Sequence, residues 1–146
     1  MPYDTLDNHL KDSSDIGRAV VPMGMLLAWC VNLGLISREF EQANEREVLR
    51  VRMQEIPGSE LLIAAGGDLQ RDLFSQAGQR FLDGYYPRYL EEFCSVFNVS
   101  MGEQYGVRES WDNYAKLAQH LTRVYMGSKK TAVAGIFSRF KRLIWH

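Results

Sequence analysis

The chain has 146 residues, 46% hydrophobic and 12% aromatic, with 17 Lys+Arg against 18 Asp+Glu and a formal net charge of −1. That hydrophobic content can build a core and excludes a polyanionic disordered chain. The small sum hides an asymmetry. Residues 113–146 hold seven basic side chains (Lys116, Arg123, Lys129, Lys130, Arg139, Lys141, Arg142) and no acid, so residues 1–112 carry −8, which argues against a general nucleic-acid binder.

Residues 1–18 are polar and read as a loose lead-in. A helical domain is expected over 19–127 and a separate basic helix over 128–146. VPMGMLLAWCVNLGL reads as a buried helix from about Pro22, with Pro at the first helical position and Gly34 as the C-terminal cap. Ser37 can cap an amphipathic surface helix running to Ile56, with Phe40, Ala43, Val48, Val51 and Ile56 inward and Pro57-Gly58 as its stop. Ser59 can cap a short helix, ELLIAA, ended by Gly66-Gly67; a strand is the alternative, since short apolar runs are ambiguous. Asp68 to Phe74 is a connector.

From Ser75 the chain reads helical, with Phe81, Tyr85, Tyr89 and Phe93 at successive i+4 spacing. Pro87 is expected to kink or split this helix. Asn98 to Val107 is a loop. Ser110 caps a further helix with Trp111, Tyr114, Leu117, Leu121 and Val124/Tyr125 on one side, and Gly127-Ser128 ends it. In the last segment Val133, Ile136, Phe137, Phe140, Leu143 and Ile144 share one helical face, with Arg139, Lys141 and Arg142 opposite. Strand signals are scarce, so the fold class is all-α, a single domain of five to seven helices with a basic amphipathic C-terminal helix.

His9, His120 and His146 lie far apart, and no Cys or His pair has metal-ligand spacing, so neither a metal site nor a cofactor is expected. Cys30 and Cys94 sit in apolar helical patterns and read as buried free thiols. GSKKT at 127–131 lacks the second glycine and the preceding strand of a phosphate loop. Glu91 and Glu92 are consecutive and do not form a facing carboxylate pair. No serine or cysteine has the context of a catalytic nucleophile. Tyr85 and Tyr86 are adjacent on a helix, so at least one is expected at a surface, where Tyr beside Asp83 and Arg88 suits a protein interface. No apolar run reaches the ~20 residues of a membrane span, and the N-terminus lacks a signal-peptide pattern, so a cytoplasmic protein is expected. The basic tail has three readings: it covers the domain's own core, lies on an anionic membrane, or docks on a partner.

Gly24, Met25, Ala28, Trp29, Gly34, Leu35 and Ile36, then Pro57 to Leu62, then Phe81, Tyr85, Tyr86, Tyr89 and Leu90 form a pattern. Together with Ser110 to Tyr114 it resembles a family of small bacterial helical proteins, over about residues 20–127. That family commonly has His where this chain has Pro22, and an acid after the Tyr-Leu pair, here Glu91 or Glu92. Its members look like immunity proteins of polymorphic toxins and interbacterial effectors. The resemblance implies a non-enzymatic protein whose partner is a cognate toxin. The acidic body adds that such a partner would present a basic surface. The candidate contact residues are Glu39, Glu41, Glu45 and Glu47 on the surface helix, and Asp83, Tyr86, Glu91 and Glu92. The alternatives are a small enzyme with a spatially assembled carboxylate/Tyr site, and a membrane adaptor acting through residues 129–146.

Overall fold

In the computed structural model, which describes residues 1–145 and their side chains as far as Lys130, the chain is all-α. Eight α-helices follow one another among the described residues: α1 (Leu6–Leu10), α2 (Ile16–Ala19), α3 (Val21–Asn32), α4 (Arg38–Ala43), α5 (Glu45–Arg52), α6 (Gly58–Ala64), α7 (Gln76–Val96) and α8 (Trp111–Trp145). Short 3-10 turns lie at Arg71–Leu73 and Gln104–Gly106. The LLIAA run is thus helical, within α6.

The centre is α3, buried from Val21 through Val31. A helix apolar all round has no solvent face, so it becomes the axis on which α2, α5, α6, α7 and α8 pack. Gly34 ends it as expected, with φ of +70°. Its N–H donates to the Val31 carbonyl and that of Leu35 to Cys30, the two bonds of a Schellman cap. The α3–α6 crossing is close: a Cβ on Gly24 would lie 2.5 Å from the Ser59 nitrogen. Trp29 is fully buried, and its Nε1 donates to Thr122 Oγ1 on α8 at 3.1 Å. Cys30 and Cys94 are both free and buried.

Several boundaries differ from expectation. The surface helix is two helices, because Asn44 leaves the helical region (φ −131°, ψ 35°), with both its N–H (3.1 Å) and its side-chain Nδ2 (3.2 Å) donating to the Phe40 carbonyl at the end of α4. Pro87 does not split α7, which runs unbroken from Gln76 to Val96. The lost backbone bond costs about 3 kcal/mol, and burial of Phe81, Leu82, Tyr85, Tyr86, Tyr89 and Phe93 around it outweighs that. Gly127-Ser128 does not end α8; Ser128 Oγ donates back to the Tyr125 carbonyl at 2.9 Å within a continuing helix. GSKKT therefore lies on a helix and is not a loop. The tail's apolar face, from Val133 to Ile144, falls outside the residues whose side chains are described.

Ser75 caps α7, accepting from Gly78 N–H at 3.1 Å. Ser75→Ala should lower stability by about 1 kcal/mol, read as a shift in the urea midpoint at unchanged slope.

The first half of the expected loose lead-in is instead tied to the core, while residues 11–18 are mostly exposed. Tyr3 N–H donates to the Leu69 carbonyl and Leu69 N–H to that of Asp4, and Asp4 and His9 are buried. The reason is polar pairing, which hydrophobic patterning does not register.

Candidate functional site

Thr5 caps α1 by accepting from Asn8 N–H, which turns His9 inward from the helix's last turn. His9 Nε2 lies 2.6 Å from Asp4 Oδ2, and Nδ1 lies 2.6 Å from the Tyr105 hydroxyl. Tyr86 OH donates to the same Asp4 oxygen, while Asn8 Nδ2 (3.1 Å) and Thr5 N–H (2.9 Å) donate to the other. Burial opposes the charge on Asp4, but the bonds from His9, Tyr86 and Asn8 outweigh it and hold the carboxyl below its ordinary value. The cluster joins the N-terminal segment, α7 and the Gln104–Gly106 turn. Carboxylate, imidazole and two phenols together suggest acid–base chemistry. However, Asp4 is 6% exposed, His9 2% and Tyr105 8%, and the bonds among them spend their polar atoms on one another. The cluster is built to hold three segments together.

A second carboxylate–imidazole pair joins α7 to α8. His120 Nε2 lies 2.7 Å from Glu92 Oε1, which also accepts from Tyr85 OH at 2.9 Å. Burial works against the Glu92 charge. The bonds from His120 and Tyr85 and the charges of His120 and Arg88 overcome it, so the carboxyl stays low. Among the described residues, no serine, threonine or cysteine hydrogen-bonds to His120.

The expected partner-binding residues separate into spent and available groups. Asp83 is bound by Arg71 and by Tyr3 OH (2.7 Å). Tyr86, expected as a surface contact, is buried against Asp4, and Tyr85 is buried as well. Both face inward because α7 is covered on two sides: Tyr85 stacks on Phe81 (5.0 Å), and Tyr86 stacks on Tyr89 (5.6 Å) beneath Tyr3. Glu92 is taken by His120, while Glu91 is exposed. On α4 and α5, Glu41 pairs with Arg52 at 2.5 Å. Glu39, Glu45 and Glu47 have no ion-pair partner among the described residues, and Glu39 and Glu45 are exposed.

The α4–α5 face also carries apolar surface that sequence reading passed over. Leu49 is 54% exposed and Met53, one turn on, is 60% exposed. Arg38, Glu41, Gln42, Glu45, Leu49 and Arg52 line a groove beside them. The amphipathic pattern of α5 is satisfied by Val48 and Val51 inward, which leaves Leu49 as an extra apolar residue on the polar side.

The family described as Domain of unknown function (DUF7832) matches residues 2–107. The chain belongs to this family. No curated protein and no solved structure matches it. The DUF7832 span begins before Asp4 and ends before α8, so Asp4, His9, Tyr86 and Tyr105 all lie within it. A resemblance placed over residues 20–127 left Asp4 and His9 outside. The one local sign of their role was Thr5 as a helix cap. Nothing near Tyr105 in the sequence marks it as a partner of His9, 96 residues away.

Proposed function

We propose that this DUF7832 chain is a non-enzymatic binding protein that neutralises a bacterial toxin or effector domain through its α4–α5 face. The observation that carries the reading is the exposed pair Leu49 and Met53 amid a charged rim. Protein interfaces have this anatomy: an apolar centre excludes water and charged residues surround it. The carboxylates of Glu39, Glu45 and Glu47, free of ion pairs among the described residues, supply complementarity to a basic partner. The two carboxylate–imidazole clusters are consumed in joining segments, which favours binding over catalysis.

Co-expression with the neighbouring open reading frame tests this. The neighbour should be toxic alone and harmless beside this protein. Leu49→Arg with Met53→Arg should abolish protection and weaken co-purification by about thirtyfold or more, corresponding to a loss of ~2 kcal/mol or more. Both side chains are exposed, so the thermal midpoint should hardly move. A harmless neighbour, or protection unchanged in the double variant, would refute the reading.

A further inference from the structure

Glu109, just before α8, is half-buried in a way the rest of the molecule does not explain. Its carboxylate accepts from Ser59 N–H at 3.2 Å and from Ser59 Oγ, an interaction spanning 50 residues. Ser59 is therefore not the cap of α6 that its position suggests; Glu109 serves its backbone from outside. Those two bonds leave acceptor capacity on both carboxylate oxygens. No Lys, Arg or His of the described residues lies within ion-pair distance of Glu109. Burial pushes its carboxyl above the ordinary value, the Ser59 bonds oppose this, and Glu60 adds to it. A partly desolvated carboxylate without a cation is unfavourable to keep.

A small pocket opens beside it, lined by Glu109, Met25, Pro57, Gly58, Trp111 and Tyr114. The two rings meet edge to face at 5.4 Å, and the Tyr114 hydroxyl is held by Asn32 Nδ2 at 2.6 Å, so this wall is fixed. The space suits a group about the size of one water molecule. We propose that this pocket receives a primary ammonium group, with Glu109 as counter-ion and Trp111 and Tyr114 as aromatic walls. The size selects the chemistry. A guanidinium or quaternary ammonium head is too large, an anion is repelled by Glu109, and a neutral hydroxyl leaves the charge uncompensated. Aromatic faces and a carboxylate both favour a cation. The ammonium comes either from a lysine side chain of a partner or from a free alkylamine. The site is independent of the α4–α5 face.

The test is an NMR titration of the full chain, following the Trp111 indole N–H. The probes are n-butylammonium and Nα-acetyl-lysine methylamide, with n-butanol, n-butylguanidinium and tetramethylammonium as controls at constant ionic strength. Saturable shifts are expected with the primary ammonium probes and none with the controls. Glu109→Gln keeps an acceptor for Ser59 but loses the charge, and should weaken binding by about tenfold or more. Tyr114→Leu, which removes one aromatic wall and leaves the Trp111 reporter, should weaken binding too and supplies the comparison if the first variant does not fold. Binding by butylammonium alone assigns a free amine, and binding by the lysine amide assigns a lysine side chain. An equal response to butanol, or unchanged affinity in folded Glu109→Gln, would mean that the pocket holds water only and would overturn the proposal.

Discussion

Asp4→Ala should cost about 3–5 kcal/mol, the range for removing one partner of a buried ion-paired cluster. The loss arises because His9 Nε2, Tyr86 OH, Asn8 Nδ2 and Thr5 N–H all meet the Asp4 carboxylate, and a methyl group accepts from none of them. Against a typical total of about 5–15 kcal/mol, urea unfolding should show a marked fall in midpoint. The wild-type protein should show the same dependence through pH. The folded state holds the Asp4 carboxyl below its ordinary value of 3.8. Its contribution is therefore full above the unfolded value and is lost as pH falls below 3.8 through the lowered one. A loss under about 1 kcal/mol in Asp4→Ala would show that the cluster does not anchor the N-terminal segment.

Gly58→Ala should cost about 3 kcal/mol, toward the upper end of overpacking effects. The added Cβ would lie 1.9 Å from the Gly24 carbonyl oxygen and 2.8 Å from its carbon. These are backbone atoms inside a helix and cannot rotate aside, so α3 and α6 must separate. Gly84→Ala provides the contrast, since its Cβ would meet nothing within 4 Å on an exposed part of α7. That change should gain a few tenths to about 1 kcal/mol from helix propensity. Thermal unfolding of the two variants checks both signs. A neutral Gly58→Ala would mean that the crossing of α3 and α6 is looser than the contact distances indicate.

These two positions show what periodicity reveals and what it omits. Gly58 was legible as part of a Pro-Gly stop, a local role. Its contact with Gly24, 34 positions earlier in the chain, was not, because glycine leaves no hydrophobic signature. The candidate residues divide in the same way. Glu39 and Glu45 lie where an amphipathic helix puts its charges, on the outside. Tyr86 was misplaced because helical spacing gives a direction and says nothing about how many sides of α7 are covered. Leu49 and Met53 were missed because an apolar residue off the stripe is noise in a periodicity argument and becomes a feature only beside a groove.

The sequence by itself determined the all-α class, the buried central helix, the Gly34 cap and the lack of metal-ligand spacing, because these depend on residues within a few turns of one another. It also contained the split between an acidic body and a basic C-terminal segment. Tertiary structure alone decided that α8 continues through Gly127-Ser128 and that Asp4 and His9 belong to the core. It also decided that Glu109 serves Ser59 across 50 residues. The placements of Asp4, His9 and Glu109 rest on hydrogen bonds between segments distant in the chain. A polar side chain acquires its partner, and therefore its role, only when the fold removes it from water.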